Sequence, residues 1–323
     1  MTLSAIIATK NRAATLSGTL ETVLLQTVPV DELVIVDQSS DASTRELIAR
    51  FPRDPRSKGT ALPEVIYLYD PALSGAGAAR NVGIERARGD LLIFLDDDVL
   101  LEEDFFEHLA AAYRHNPELG GVQGIITNYT RPPLRSRLLE TIFLLGPFRD
   151  ERMPIYWDAE TLRHRPPIPV RKFTSCLMSV KRTALGEERF DAGYNGRGED
   201  IDLSWRLSEL HPLVIAPAAR AKHLRTPLAR SPESWLTGSL LGYYYLYHRI
   251  WNTSLSNRLC FEWLKCGYGL IALFSSIRRR SRAPWSAFRA AISSARNAGY
   301  VTPRVRIRQR TTVASKARGN SQQ

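Results

Sequence analysis

Three consecutive carboxylates, Asp96-Asp97-Asp98, follow directly on the apolar run Leu91–Leu95 (LLIFL). Adjacent acids at the end of a buried strand repel one another, and some stay protonated unless a countercharge is near. A divalent cation removes that conflict, because Mg2+ and Mn2+ favour carboxylate oxygens combined with substrate phosphates. The alternative is a solvated acidic turn which, with Glu102 and Asp104, complements the dipole of a helix beginning near Glu103. A second acidic cluster, Gly198-Glu199-Asp200-Ile201-Asp202, is reached through the glycine-bearing approach Tyr194-Asn195-Gly196-Arg197. It sets acids at the start of a helix whose inner face is expected to carry Ile201, Trp205 and Leu207. Such acids are delivered there by a flexible, glycine-bearing approach, or are ordinary first-turn acids that offset the helix dipole. His223 has the chemistry of a metal or phosphate ligand, and equally that of a structural histidine.

Two further segments are weaker signals. Val36-Asp37-Gln38-Ser39-Ser40-Asp41 ends an apolar run with an acid able to accept from a nucleobase N–H, or with an ordinary capped turn before a helix at Thr44. Leu73-Ser74-Gly75-Ala76-Gly77-Ala78-Ala79-Arg80-Asn81 places two glycines before a helix, where backbone can approach a phosphate and Arg80 adds charge. The third glycine of a dinucleotide fingerprint is replaced by Arg80, and the motif follows the third strand rather than the first. A nicotinamide enzyme is therefore disfavoured.

The elements that must position these residues alternate. Apolar runs at Leu3–Ala8, Leu33–Val36, Val65–Leu68 and Leu91–Leu95 read as strands. Helical spacing falls between them, through Leu16, Leu20, Val23 and Leu24, at Thr44–Phe51 and at Ala78–Ala87, and again at Glu103–His115. Strands apolar throughout, alternating with helices, imply a parallel sheet covered on both faces, with ligands at the strands' carboxyl ends. Residues 129–170 are rich in proline and arginine and read as a long excursion over the sheet. Order returns at Phe173–Val180, and a helix is expected from Glu199 to Leu210.

Taken in order, Ala8-Thr9-Lys10-Asn11-Arg12, Val36-Asp37-Gln38-Ser39, Ala79-Arg80-Asn81, Phe94-Leu95-Asp96-Asp97-Asp98, the segment Gly198–Arg206 and His223 resemble the family 2 glycosyltransferases over residues 3 to about 225. The resemblance implies an α/β fold: a single Rossmann-like, A-type domain with a mixed central sheet and a C-terminal helical region. It implies that Thr9 and Asp37 line a base pocket, with Asn11, Arg12, Arg80, Asp96 and Asp97 also on the donor side. Asp98 and His223 would hold Mg2+ or Mn2+, Asp200 would be the general base, and Glu199 and Trp205 would face the acceptor. The reaction implied is inverting transfer from a nucleotide-diphosphate sugar to a hydroxyl of a saccharide or lipid-linked acceptor. Asp37-Gln38-Ser39 stands where many relatives have a second acid or Asn before Gly, so the donor is left open. The Gln-x-x-Arg-Trp signature of processive synthases is absent, His248-Arg249-Ile250-Trp251 being different, which predicts one sugar per encounter. The other readings are a sugar-1-phosphate nucleotidyltransferase, which would want a glycine-rich loop after the first strand, and a non-catalytic nucleotide-sugar-binding protein, which need not keep Asp98 and Asp200.

Charge and cysteine content bound the rest. The net charge is +11, but residues 278–323 hold twelve Lys/Arg and no acid, leaving 32 basic and 33 acidic residues elsewhere. The basicity belongs to one segment, so specific nucleic-acid binding is not expected of the body. Three scattered cysteines and a start without a signal-peptide pattern suggest a cytoplasmic protein. The expected organisation is a catalytic domain at 1–228 (nucleotide-sugar half 1–128, acceptor half 129–228), an aromatic helical region at 229–277 and a disordered basic tail at 278–323. Within Leu259–Ile277, Glu262 and Lys265 leave only Cys266–Ile277 uncharged, short of a membrane span. An interfacial helix on anionic lipid, involving 259–323, and a packed helical subdomain are the two readings of that region.

Overall fold

The computed structural model describes residues 1–51, 62–129, 134, 138, 142–143, 159–193, 198–224, 232–249 and 255–297. In the first half the apolar runs become parallel strands: β1 (Leu3–Thr9), β2 (Glu32–Asp37), β3 (Glu64–Tyr69) and β4 (Leu91–Leu95), lying in the order β3-β2-β1-β4. Helices α1 (Ala13–Leu24), α2 (Ser43–Arg50) and α3 (Ala76–Arg86) connect them. Because strand side chains alternate, Ile7 joins the apolar layer under α1 with Leu16 and Leu20, while Ile6 joins the opposite layer with Ile84 and Leu203. Helix α3 lies so close to β1 that a Cβ at Gly83 would sit 2.4 Å from Ile6 Cγ2.

Beyond β4 the sheet becomes mixed. β5 (Val99–Leu101), α4 (Phe105–His115) and β6 (Gly121–Ile126) are followed by α5 (Ala159–Leu162), β7 (Ile168–Val170), β8 (Leu177–Lys181), α6 (Arg182–Leu185), α7 (Glu199–Ser208) and β9 (Leu213–His223). β8 runs antiparallel between β4 and β6, β6 pairs in parallel with β9, and β5 and β7 each run antiparallel to β9. The parallel pattern of the first half thus does not extend across the sheet. β5, β6, β7 and β9 were not legible as strands, β5 and β7 being three residues long.

The aromatic C-terminal region is helical: α8 (Pro232–Arg249), α9 (Leu255–Arg279) and α10 (Ala283–Asn297). They close over a core of their own containing Leu240, Phe261, Leu264, Tyr268 and Ala291. The expectation of disorder from residue 278 is corrected for its first part, since helix continues through Asn297; the remainder of the tail lies outside the described residues. No helix among the described residues is long and apolar enough to cross a membrane.

Candidate active site

Asp37 and Asp96 to Asp98 lie at or just past the carboxyl ends of strands, and Glu199, Asp200 and Asp202 lie in a helix's first turn. β1 ends at Thr9, whose hydroxyl donates to Asp97 Oδ2 at 2.7 Å. The turn continues through Asn11, held at φ 55°, a left-handed conformation that asparagine tolerates better than most residues. Asn11 is fixed there by two bonds to the neighbouring turn: its N–H donates to Ser39 Oγ, and its Oδ1 accepts from the Ser40 N–H, both at 2.8 Å. Arg12 is thereby aimed at the aspartates, donating to Asp97 Oδ1 at 2.6 Å and Asp98 Oδ2 at 2.5 Å.

Asp37, at the end of β2, is fully buried. Its Oδ1 accepts from the Ser39 N–H at 2.8 Å and its Oδ2 from the Tyr67 hydroxyl at 2.7 Å. At the start of α3, Gly75 has φ 87°, which favours glycine, and Gly77 packs beneath Phe190 and Glu199. Three residues on, Arg80 is buried between two acids, donating to Glu199 Oε1 at 3.1 Å and to Asp96 Oδ1 at 3.0 Å. Phe190 lies 5.5 Å from its guanidinium carbon. Asn81 locks the same loop by donating to the Phe190 carbonyl and accepting from the Phe190 N–H. Arg80 therefore ties the Asp96 side of the site to the helix that carries Asp200.

β5 turns back antiparallel to β9 with Val99 opposite His223, and this pairing delivers the histidine to the aspartates. His223 Nε2 lies 3.3 Å from Asp98 Oδ1 and 3.6 Å from Asp96 Oδ2. Asn128, which the sequence reading missed, holds the His223 backbone from both sides, accepting from its N–H and donating to its carbonyl, each at 3.0 Å. No sequence signal marked Asn128, because its role comes from cross-strand pairing.

The donor set fits a divalent cation. One ligand atom from each of Asp96, Asp98 and His223 lies within 4.8 Å of the others. Asp98 Oδ1 is buried and makes no hydrogen bond, although its partner oxygen is taken by Arg12. A buried carboxylate oxygen left so is costly unless something of opposite charge meets it. Burial pushes the Asp97 carboxyl up to about 6, with Asp96 and Asp98 adding to the shift and Thr9 and Arg12 opposing it. Burial also opposes ionisation of Asp96, but His223 and Arg80 hold its carboxyl below the ordinary value. Glu199 is raised, chiefly by burial and next by neighbouring Asp200, against the pull of Arg80.

Asp200 sits in the first turn of α7, its Oδ2 accepting from the Ser175 N–H at 3.1 Å and its Oδ1 from the Ile201 N–H at 2.8 Å. Arg206 anchors the helix through Asp202, Glu188 and the Arg189 carbonyl. The expected inner face of α7 is rotated. Leu203 and Leu207 enter the core with Asp202 and Ser204, whereas Ile201 and Trp205 are only half-buried. Trp205 instead carries the Arg171 guanidinium carbon 4.0 Å from its ring centre. The approach at 194–197 lies outside the described residues.

Similarity to known proteins runs along the same segments. A family model described as "Glycosyl transferase family 2" matches residues 4–182. Validoxylamine A glucosyltransferase of Streptomyces hygroscopicus subsp. jinggangensis is 27% identical over 256 residues, covering 74% of this chain and 58% of that protein. The chain thus spans 58% of the length of this relative. Poly-beta-1,6-N-acetyl-D-glucosamine synthase of Staphylococcus epidermidis is 28% identical over 122 residues, 38% of this chain and 28% of that one. Among solved structures, a mannosyltransferase from Pyrobaculum calidifontis in complex with GDP-Man and Mn2+ superposes with TM-score 0.58 at 15% identity, covering 92% of this chain and 88% of that one. GalNAc-T7 with UDP, GalNAc and Mn2+ gives TM-score 0.57 at 17% identity, covering 94% and 58%. At such identities the likeness shows the fold: a Rossmann-like α/β sheet of the A type, as anticipated from the sequence.

Proposed function

Because the chain belongs to glycosyl transferase family 2, we propose that it transfers one sugar, with inversion, from a nucleoside-diphosphate donor to an acceptor hydroxyl. The observation that carries this reading is the trio Asp96, Asp98 and His223, joined through Arg80 to the helix start that holds Asp200. Asp37 and Thr9 shape the base pocket from the ends of β1 and β2, each already fixed by protein partners. Asn11 sets the turn there, and Arg12 and Asp97 support the metal acids from behind rather than reaching for the donor. Asp98 and His223, with Asp96, would hold Mg2+ or Mn2+; the bound ion neutralises charge that develops on the departing diphosphate. Asp200 takes the acceptor hydroxyl's proton as the new C–O bond forms at the anomeric carbon. The bond to the diphosphate oxygen breaks on the opposite face, its electron pair leaving with the diphosphate. Two backbone N–H bonds orient the Asp200 carboxylate for that task. Glu199, on the acceptor side, is held by its bond from Arg80. The acceptor is read as a saccharide or a lipid-linked saccharide, the first being in keeping with the name poly-beta-1,6-N-acetyl-D-glucosamine synthase of one relative.

The test is a thermal-shift panel of UDP-, GDP-, dTDP- and CMP-sugars, with and without Mn2+, on the wild-type protein and Asp98→Ala. A ligand that binds only the folded state at about 100 times its dissociation constant stabilises by roughly 2.7 kcal/mol. One nucleotide is expected to raise the Tm of the wild type only with Mn2+, with no rise for the variant. Equal shifts in both proteins would remove Asp98 from the metal site.

A further inference from the structure

Helix α9 is apolar on two opposite faces, one packed into a core and the other, among the described residues, largely exposed. Phe261, Leu264, Tyr268 and Ala272 point into the core shared with α8 and α10. On the other side Leu255, Leu259, Trp263, Leu270, Phe274 and Ile277 are exposed, from 37% at Leu270 to 73% at Leu255. At about 100° per residue these six fall within an arc of roughly 100°, the width of an amphipathic stripe. The stripe runs from Leu255 to Ile277, about 33 Å at the rise of an α-helix. It widens at Trp263, whose indole N–H donates to the Ile142 carbonyl and whose ring stacks on Phe143 at 5.2 Å. Ile142 and Leu138, four residues apart, are themselves exposed at 54% and 53%.

Charge says what such a surface fits. Between Leu255 and Asn297 the chain carries eight Lys/Arg and a single acid, Glu262, which pairs with Lys265 at 2.5 Å. Arg278, Arg280 and Arg282 are exposed where the stripe ends, and the half-exposed indole of Trp285 begins the next helix beside them. We propose that this face of α9 lies flat on an anionic lipid surface, with Leu259, Trp263, Phe274 and Ile277 among the acyl chains and the arginines on the headgroups. A long apolar stripe bordered by arginine and tryptophan matches a plane with an apolar interior and a negative rim. The burial of the opposite face in a protein core and the hydropathy of the helix argue against insertion across the bilayer. The inference is independent of the transfer chemistry, since none of these residues belongs to the site described above.

Flotation of the full-length protein with phosphatidylcholine vesicles, with and without phosphatidylglycerol, tests it. Binding is expected only with phosphatidylglycerol and to weaken with salt. Phe274→Ser/Ile277→Ser should lower vesicle affinity about tenfold or more. Arg278→Gln/Arg280→Gln should lower it roughly twentyfold, each arginine near an anionic surface being worth about fivefold. Both variants alter exposed side chains and should keep the wild-type Tm and its response to donor and Mn2+. Equal binding to both vesicle types, or unchanged binding by either variant, would overturn the proposal. So would an apolar variant that converts a dimer into a monomer in sedimentation without changing vesicle binding, because the face would then belong to a second copy.

Discussion

Arg80 shows how much a single side chain can decide. Its guanidinium is buried between Asp96 and Glu199, and those two acids, with Asp200 beyond them, raise its pKa despite the burial that opposes it. Removing one member of a buried ion pair leaves the other charges uncompensated, at a cost of about 3–5 kcal/mol. Arg80→Met is therefore expected to lower the unfolding free energy by about that amount at neutral pH in urea titrations. A variant as stable as the wild type would mean that Arg80 is not the counterion of these acids. From the sequence Arg80 reads as a donor ligand, because a basic residue after glycines suggests phosphate. In the folded chain its guanidinium pairs with two carboxylates of its own. Arg12 follows the same logic toward Asp97 and Asp98.

At the scale of elements, the parallel strands are pinned by a buried acid at their amino ends. Glu32, the first residue of β2, accepts from Ser4 Oγ at 2.5 Å, from the Arg88 N–H at 2.7 Å and from the Arg88 guanidinium. Burial works against its ionisation, yet these donors bring its pKa below the ordinary 4.5. A depressed carboxylate contributes stability that is complete above its unfolded-state value and is lost as pH falls through the folded-state one. Glu32→Gln should cost about 1–3 kcal/mol at pH 7, and the gap from wild type should close as pH is lowered towards 3. Chemical denaturation at a series of pH values measures this, and a gap independent of pH would contradict it. Strands β1 to β4 were legible because each is an uninterrupted apolar run. β8 was seen as order without direction, since its antiparallel place between β4 and β6 depends on partners far along the chain.

The whole molecule divides its apolar interior. Two layers sandwich the sheet, and a separate cluster holds α8, α9 and α10 together. Leu264 is 1% exposed at the centre of that cluster, so Leu264→Ala should destabilise by about 2–5 kcal/mol. With no shared partners at the acidic site, the effects should be separable. Limited proteolysis is expected to cut within α9 of the variant sooner than in the wild type, while the Mn2+-dependent donor response stays within about twofold. A lost donor response would show that the helical region props up the site.

The sequence by itself marked the acids proposed to carry the chemistry, Asp96 to Asp98 and Asp200, and the alternation of strands and helices that puts them at element ends. Those features are local: a charge cluster after an apolar run, and a periodicity within a dozen residues. The tertiary structure decided what each acid faces. His223 reaches Asp98 only because β5 pairs with β9 across more than 120 residues of chain, and Asn128 holds it there only because β6 lies beside β9. It also turned α7 so that Leu203 rather than Trp205 enters the core, and left one apolar face of α9 largely exposed. These outcomes depend on which distant segments become neighbours, and the energies of such contacts are set by burial that no single stretch of sequence contains.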